Sequence, residues 1–310
     1  MTKTIDVLGL GEPLVEFAAV RGEPGLYRRG FGGDTSNTVI AAARQGARAA
    51  YFSAVGADEA GQALLALWHA EGVNTAAVAI DPARPTGVYF VGYDADGRHH
   101  FSYLRAGSAA AALGPLDLAR APLAASRFLH LSAISQAIST SACDLCFAAI
   151  EAARGAGTAV SYDANLRLKL WSLPRARAVI RESAAQADYF LPSLEELRTL
   201  IGATDPQSCL DWCLASGARN VVLKMGADGA WVCAAGAEPV WMPGRRVVAV
   251  DATGAGDCFD GALLARLAAG DDLVAAVRYA HAAAALSVTG QGAVAPIPRA
   301  AAVRALLAAE

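Results

Sequence analysis

The sequence has little charge and no excess of one sign. Of its 310 residues, 18% are charged, and the formal net charge is -3. A chain without a basic surface or an acidic tail has no general electrostatic attraction for a highly charged polymer. We therefore expect no nucleic-acid partner.

Long apolar runs are also missing, although 55% of the residues are hydrophobic. No uncharged apolar run approaches the roughly 18 residues that a membrane-spanning helix needs. The chain enters a short strand pattern at Ile5 without the apolar region of a signal peptide. These features predict a soluble, cytoplasmic protein with no membrane partner.

The six cysteines form no framework for disulfides or zinc. Cys143 and Cys146 have C-x-x-C spacing, but they lie in an apparent helix and no second pair accompanies them. Cys209 and Cys213 are one helical turn apart, and the other two are isolated. We therefore expect buried, reduced thiols.

Apolar strands alternate with helical patterns along most of the chain, and no repeat or linker divides it. We predict strands at 5–10, 49–55, 77–80, 128–134, 158–163, 189–191, 220–224, 231–235 and 239–242. We predict helices at 38–45, 59–71, 141–154, 175–186, 194–201, 209–216, 262–267, 271–289 and 298–309. This alternation is typical of an α/β protein with a mainly parallel sheet covered on both faces. We expect one domain over 1–310.

Two regions, 12–31 and 86–106, instead have hairpin patterns. The second has alternating strands at Thr86–Tyr93 and His99–Arg105 around a turn at 94–97. We expect both regions to form a small antiparallel flap on the α/β body. Spacing alone leaves open whether Tyr89, Tyr103 and Arg105 contact a ligand or are exposed hairpin residues.

Several polar loops should meet at one edge of the predicted sheet, because ligands of such sheets bind at the carboxyl ends of the strands. These loops are 32–37, 165–167, 224–229 and 254–257. Residues 34–37, placed ahead of the helix at 38–45, either cap that helix or hold a ligand. Position 14 is leucine where a dinucleotide fingerprint needs its third glycine, and no P-loop motif is present.

The sequence Gly254-Ala255-Gly256-Asp257 precedes an apolar helix and predicts an anion hole. Glycines allow a sharp turn in which backbone N–H groups converge, and the N-terminus of a helix attracts negative charge. Asp257 could simply cap the helix. Beside a bound phosphate, however, a carboxylate is favourable where it accepts a proton from an attacking hydroxyl.

Two motifs resemble the paired signatures of the ribokinase-like (pfkB) carbohydrate kinases. They are Gly32-Gly33-x-x-x-Asn37 and Asp251-x-Thr253-Gly254-Ala255-Gly256-Asp257-x-Phe259, and the intervening segments also fit. The resemblance implies a three-layer α/β sandwich with a small β lid, and ATP-dependent phosphorylation of a terminal sugar hydroxyl. It implies that Asp257 is the catalytic base and that the backbone of Gly254, Ala255 and Gly256 binds the transferring phosphoryl group.

The resemblance also implies a nucleotide site with Mg²⁺. Its residues are Asn165, Ser193, Lys224, Gly226, Asp228, Gly229, Thr253, Gly254 and Gly256, and Glu196 would act on Mg²⁺ through water. The family motif N-x-x-E here reads Ser193-x-x-Glu196, so the asparagine is missing. A monovalent cation such as K⁺, near Asp251 and Thr253, and a homo-oligomer are further expectations.

Three segments are most similar to 2-keto-3-deoxygluconate kinases: Gly33-Asp34-Thr35-x-Asn37, Tyr103-x-Arg105 and Asp163-x-Asn165-x-Arg167. This resemblance implies a keto-acid substrate, phosphorylated at O6. The residues that it places around the sugar are Gly33, Asp34, Asn37, Tyr89, Tyr103, Arg105, Arg167 and Asp257. Kinases of neutral sugars such as fructose, tagatose or ribose remain the alternative, in which Arg167 contacts ATP phosphate. A silent sugar-binding regulator and a dehydrogenase are the other classes considered.

Overall fold

A computed structural model describes residues 2–94, 99–234 and 236–309, without the side chain of His99. Most of the predicted turn at 94–97 and the last residue of the predicted strand at 231–235 lie outside the described residues. Strands and helices are numbered separately along the chain.

The larger sheet has nine strands and is mainly parallel, as predicted. Its order is β13-β12-β11-β10-β9-β8-β1-β4-β5, and β12 runs in the direction opposite to the other eight strands. The strands are β1 (Ile5–Leu10), β4 (Ala49–Gly56), β5 (Asn74–Asp81), β8 (Ser126–Ser132), β9 (Ala159–Asp163), β10 (Tyr189–Phe190), β11 (Asn220–Lys224), β12 (Gly229–Ala234) and β13 (Val240–Pro243).

Helices cover both faces of this sheet and give the predicted three layers. One layer contains α1 (Asp34–Arg44), α2 (Glu59–Ala70), α8 (Ala255–Ala269), α9 (Leu273–Ser287) and α10 (Ala300–Ala308). The other contains α3 (Ala133–Ala137), α4 (Thr140–Gly155), α5 (Leu173–Gln186), α6 (Leu194–Ile201) and α7 (Pro206–Ala215). Each layer buries an apolar core, centred on residues such as Trp68 and Phe259 in the first and Leu145 and Phe190 in the second. Burial of such side chains is the main favourable contribution to folding.

The two hairpin regions form one separate four-stranded sheet. Its order is β3-β2-β6-β7, with strands β2 (Leu14–Ala19), β3 (Tyr27–Gly32), β6 (Val88–Tyr93) and β7 (His99–Leu104). Both hairpins are antiparallel, and β2 pairs with β6 in parallel. The register places Glu16 beside Tyr89 and Tyr89 beside Tyr103, so these three side chains share one face.

Several predicted boundaries are wrong: α8 begins at Ala255 and not at 262, so Gly256 and Asp257 belong to its first turn, and β5 begins at Asn74 and not at 77. Helix α1 begins at Asp34 and not at Thr38, because Gly33 adopts φ 97 and ends the preceding strand abruptly. The polar side chains of the first turn face inward and have partners: Trp68 Nε1 donates to Ser36 Oγ over 2.9 Å. The predicted strand at 128–134 ends at Ser132, whose side chain caps α3 at Ser135 N–H.

Among the described residues, no helix combines the length and apolar character that crossing a bilayer requires.

Candidate active site

The loop before α8 has the geometry of an anion-binding turn. Gly254 precedes the helix with φ 75, a conformation that favours glycine. Within the described residues, the N–H groups of Gly254, Gly256 and Asp257 have no hydrogen-bond acceptor, whereas Ala255 N–H donates to the Ala252 carbonyl at 3.2 Å. Three of the four predicted N–H groups are thus available to an anion, and that of Ala255 is used by the turn itself.

Thr253 and Asp251 fix the start of this loop. Asp251 Oδ1 accepts from the N–H of Thr253 at 2.9 Å and from its hydroxyl at 2.7 Å. Asp251 Oδ2 accepts from Gly292 N–H at 2.9 Å. These bonds hold the loop against the residues that follow α9.

Asp257 lies on the first turn of α8 and is joined to α1. Asn37 Nδ2 donates to Asp257 Oδ2 over 2.7 Å. Burial, and after it the charge of the neighbouring Asp34, raise the pKa of Asp257 to about 7, although the Asn37 hydrogen bond opposes the rise. A carboxyl that titrates near neutrality can accept a proton from a hydroxyl at physiological pH.

Asp34 connects α1 with the ends of two sheet strands. Its Oδ2 accepts from the Ser132 hydroxyl at the end of β8 and from Asn165 Nδ2, at 3.2 Å, just beyond β9. Burial raises the pKa of Asp34. Asn165 has φ 21, an uncommon backbone conformation for a residue with a side chain. Gly33, just before α1, allows the backbone of Glu12 to pack closely against the start of the helix, because a Cβ on Gly33 would lie 2.4 Å from the Glu12 carbonyl oxygen.

Lys224 lies below the anion-binding loop, within a group of carboxyls. Its Nζ is 3.2 Å from Asp163 Oδ1 and 3.1 Å from Asp260 Oδ1. It is also 3.7 Å from the position that a Cβ on Gly256 would occupy. Burial alone would lower the pKa of Lys224, but Asp163, Asp260 and Glu196 raise it, so the ammonium stays charged.

Glu196 and Ser193 form a capping box at the start of α6. Ser193 N–H donates to Glu196 Oε2 at 2.9 Å, and Leu166 N–H donates to Oε1 at 3.2 Å. Burial raises the pKa of Glu196, with Asp163 adding to the rise. Arg167 Nη1 is 3.9 Å from Glu196 Oε1, and 53% of the Arg167 side chain is exposed.

The inner face of the small sheet has its own hydrogen-bonded groups. The Tyr89 hydroxyl donates to Glu16 Oε2 over 2.5 Å, and the Tyr89 and Tyr103 rings stack with centroids 5.5 Å apart. The charge of Asp257, on α8, is among the causes that raise the pKa of Tyr89, after burial and Glu16, so the two side chains lie within electrostatic range of each other. Arg105 pairs with Glu12, which is fully buried after β1 and also accepts from the Ser108 hydroxyl.

The predicted residues of the 226–229 loop are less closely associated with this group. Gly226 and Asp228 form a short 3₁₀ turn, and Gly229 opens β12 with φ 130. Asp228 pairs with Arg246 at 2.9 Å on the surface. Among the described residues, no hydrogen bond or ion pair joins these three to Asp257 or to the Lys224 side chain. Their predicted role in nucleotide binding stays a prediction.

Sequence reasoning assigned no role to four carboxyls of the site, Glu12, Glu16, Asp163 and Asp260, although Asp163 belongs to one of the motifs that carried the resemblance. Each is buried. Asp163 is the last residue of β9 and Glu12 follows β1, and this position at the carboxyl end of a strand was a usable signal. Asp260 lies one helical turn beyond Asp257, and Glu16 alternates with apolar residues on β2. An exposed carboxyl could occupy either position in the sequence, so the sequence gives no sign that these two are buried.

Comparison with known proteins supports one family. The profile of the pfkB family carbohydrate kinases matches residues 4–300. A 2-dehydro-3-deoxygluconokinase of Thermoproteus tenax is 32% identical over 305 residues, covering 95% of this chain and 92% of the relative. A fructokinase of Vibrio alginolyticus is 32% identical over 275 residues, covering 86% and 88%.

A solved structure agrees. A candidate ribokinase II of E. coli, in complex with ATP and Mg²⁺, has a TM-score of 0.89 at 27% identity and covers 100% of both chains. Both signature motifs lie within the matched residues, and the relatives agree in fold and length. The chain therefore belongs to the pfkB family of carbohydrate kinases.

Proposed function

We propose that this chain transfers the γ-phosphoryl group of ATP to a terminal sugar hydroxyl, with Asp257 as general base. One observation carries the proposal: the Asp257 carboxyl, with its pKa raised to about 7 by burial, adjoins three N–H groups without acceptors. A base for a hydroxyl and donors for phosphoryl oxygens thus lie within one helical turn. In-line transfer needs little more than such positioning and charge stabilisation.

The sequence of events follows from these groups. Asp257 takes the proton as the sugar oxygen bonds to phosphorus, and the bond to the leaving ADP oxygen breaks. The N–H groups of Gly254, Gly256 and Asp257 donate to the phosphoryl and bridging oxygens as charge develops there. Lys224, fixed beneath Gly256, adds a positive charge.

The first test replaces Asp257 by Asn. The Asp257→Asn variant should bind ATP with nearly unchanged affinity in calorimetry, because the N–H donors remain. Its kcat should fall by at least ~10²-fold, a typical general-base effect. A variant that keeps a tenth or more of the wild-type kcat would remove Asp257 from this role.

Mg²⁺ fits the donor chemistry of this rim, which is rich in carboxylate oxygens. When bound, Mg²⁺ would neutralise phosphate charge. Both Glu196 oxygens already accept backbone N–H groups, so Glu196 would hold the ion through water. Asn165 follows β9 and Ser193 follows β10, close to Glu196. In this proposal the two residues complete the polar surroundings of the phosphates.

In this proposal the regions 12–31 and 86–106, which form the small sheet, act as a lid on a single kinase domain. On the inner face of this sheet, Tyr89 stacks with Tyr103 and lies within electrostatic range of Asp257 on α8. Closure over a sugar would exclude water and so limit ATP hydrolysis.

For the substrate, we infer 2-keto-3-deoxygluconate, phosphorylated to its 6-phosphate. The relatives named for this activity support the inference, as does the presence of guanidinium groups at two edges of the site. A carboxylate held away from bulk water calls for such partners. Arg105 lies at the lid and Arg167 at the rim of the large sheet.

A neutral sugar such as fructose, tagatose or ribose is the second candidate, and specific contacts favour it. Arg105 already pairs with buried Glu12, and the Tyr89 hydroxyl donates to Glu16. Glu16 adds a carboxyl to the lid face, where it would repel an acid sugar if ionised. The fructokinase relative is as similar in identity as the keto-acid kinase.

A substrate panel separates the two. We would measure kcat/KM for 2-keto-3-deoxygluconate, fructose, tagatose and ribose with wild type and Arg167→Ala. If the sugar carries a carboxylate bound by Arg167, only the acid sugar should lose about 10- to 100-fold, the range for a hydrogen bond to a charged group. Equal losses on all sugars would assign Arg167 to ATP, and a wild type that prefers a neutral sugar would overturn the keto-acid inference.

Arg105 needs a matched design, because its removal would leave the Glu12 carboxylate buried and unpaired. The double variant Glu12→Gln/Arg105→Gln removes both charges, and Glu12→Gln alone is its control. A loss confined to the acid sugar and to the double variant supports Arg105 as the carboxylate partner. The same loss in Glu12→Gln alone assigns the effect to lid packing.

A further inference from the structure

Arg44 is the last residue of α1 and lies at the opposite end of that helix from Asp34 and Asn37. All three nitrogens of its guanidinium donate hydrogen bonds. Its side chain is only 10% exposed. Nε and Nη2 donate to the two carboxylate oxygens of Glu71, at 3.0 and 2.7 Å. Nη1 donates to the carbonyls of Val294 at 2.9 Å and Ile297 at 2.6 Å. A planar guanidinium can satisfy such divergent acceptors at once, whereas an ammonium cannot.

The carbonyls belong to residues 288–298, which we name the support segment. This segment follows α9 and has no helix or strand of its own. Gln45 Nε2 also donates to the Pro298 carbonyl at 2.7 Å, and the Tyr279 hydroxyl donates to Gln45 Oε1 at 2.9 Å. The second half of the support segment is therefore held by side chains from the end of α1.

The first half of the support segment contacts the loop before α8. The Val288 carbonyl accepts from the N–H groups of Val250, at 2.7 Å, and Asp251, at 3.2 Å. Gly292 N–H donates to Asp251 Oδ2. Ala293 packs directly on Gly254: a Cβ on that glycine would lie 3.1 Å from the Ala293 carbonyl oxygen and 3.2 Å from its Cα.

We propose that Arg44 is a positioning residue for the anion-binding loop: it fixes the support segment and, through Ala293 and Gly292, the placement of Gly254 and Asp251. This inference rests on the proposed function of that loop in binding phosphate. Helix α1 then has two roles. Asn37 in its first turn donates to Asp257, and Arg44 at its end holds the support segment, which packs against Gly254. Arg44 touches neither nucleotide nor sugar in this scheme.

Loss of the guanidinium should loosen the loop and leave the sugar side intact. Arg44→Met frees the Val294 and Ile297 carbonyls, which are unfavourable when buried without a donor. The support segment then has to move, and small displacements of a catalytic group can reduce rates by up to ~10²-fold. Asn37 and Asp34 lie at the other end of α1 and keep their own hydrogen bonds.

The test separates nucleotide from sugar binding. We would measure the dissociation constant for Mg·ATP by calorimetry, that for the best sugar of the panel, and kcat, in wild type, Arg44→Met and Arg44→Lys. For Arg44→Met we expect binding of Mg·ATP weaker by ~10-fold or more and a lower kcat, with sugar affinity changed less than ~2-fold. Arg44→Lys keeps the positive charge and a single donor nitrogen, so its values should fall between those of wild type and Arg44→Met, and it serves if Arg44→Met does not fold.

Arg266→Met is the matched control. Arg266 also makes a bidentate pair, with Asp271 at 2.7 Å through Nε and 2.7 Å through Nη2. It lies over the Tyr279 ring, 5.2 Å from the centroid, but among the described residues it donates no hydrogen bond to the support segment. The Arg266→Met variant should have a lower thermal stability than the wild type but the same affinity for Mg·ATP.

The proposal is overturned if Arg44→Met and Arg44→Lys lower stability but leave Mg·ATP affinity and kcat unchanged, or if Arg266→Met gives the same weakening. Failure of the proposed function has a different signature: a wild type that phosphorylates no sugar. ATP calorimetry still decides the role of Arg44 in that case, because it does not depend on turnover.

Discussion

The hydrogen bond from Asn37 to Asp257 determines how the carboxyl is presented. It occupies one carboxylate oxygen and favours the ionised form. The other charged groups that face Asp257 are Asp34 from α1, Asp163 at the end of β9 and Lys224 at the end of β11, and the lysine opposes the effect of the two carboxyls on the pKa. Asp260, on α8 itself, and Tyr89, on the lid, complete these surroundings. Asn37 was predicted only as a sugar ligand, since a sequence cannot show that two residues 220 positions apart are bonded.

Removal of the Asn37 donor should shift the pH dependence. Asp257 must be deprotonated to act, so activity falls as pH drops through its pKa of about 7. Without the bond that lowers this pKa, the acidic limb of the kcat/KM profile of Asn37→Ala should move to higher pH. The measurement is kcat/KM against pH under saturating Mg·ATP.

Ser36→Ala provides the control, because it loses a buried hydrogen bond on the same helix without touching Asp257. Its pH limb should match that of the wild type. If Asn37→Ala raises the sugar KM while the limb stays in place, Asn37 is a sugar ligand alone.

At the scale of elements, helices α1 and α8 bring the two signature motifs together. Gly261 allows this packing: a Cβ on it would lie 2.3 Å from the Thr38 carbonyl oxygen and 2.6 Å from the Ala41 Cβ. The glycine follows Asp257 by about one helical turn. The distance between Asn37 and Asp257 therefore depends on a residue with no functional group.

Gly261→Ala should separate the two helices. Overpacking of this kind typically lowers the free energy of unfolding by about 1–3 kcal/mol. Because the shift also moves Asp257 from Asn37, kcat should fall by ~10-fold or more. Urea unfolding and steady-state kinetics are the measurements.

Gly155→Ala is the matched helical glycine, since a Cβ there meets nothing within 4 Å. It should leave kcat unchanged and stability equal or slightly higher, because alanine is the better helix former. A Gly261→Ala variant that behaves like Gly155→Ala would show that this contact is not limiting.

The elements that the sequence predicted well are those with strong periodicity. Strands such as Ile5–Leu10 and Asn220–Lys224 have the predicted bounds because an apolar run of that length fits a buried strand. Polar residues 34–37 were placed in a loop, yet they form a buried helical turn, because tertiary partners such as Trp68 and Asp257 satisfy them. Local propensity gives no information on such distant partners.

At the scale of the whole molecule, the parallel topology concentrates negative charge. Strands β8 to β11 end at one edge of the sheet, where α1 and α8 also begin. The result is a group of five carboxyls with one lysine: Asp163, Glu196, Asp257 and Asp260 interact electrostatically with Lys224, and Asp34 lies beside Asp257. Burial raises the pKa of four of them, Asp34, Glu196, Asp257 and Asp260, and thus lessens but does not remove the charge.

A site of this charge should bind ATP poorly without a divalent cation. Two like charges about 5 Å apart repel by roughly 3 kcal/mol at an effective dielectric constant near 20. Since about 1.4 kcal/mol corresponds to a tenfold change in affinity, we expect ATP to bind at least ~10-fold more weakly in EDTA than in excess Mg²⁺. Adenosine, which has no phosphate, is the matched ligand and should bind equally in both conditions. Calorimetry with both ligands distinguishes a loss of charge neutralisation from a general effect of EDTA on the protein. ATP affinity that is the same with and without Mg²⁺ would mean that Lys224 and the N–H groups at the start of α8 suffice to offset the carboxyls.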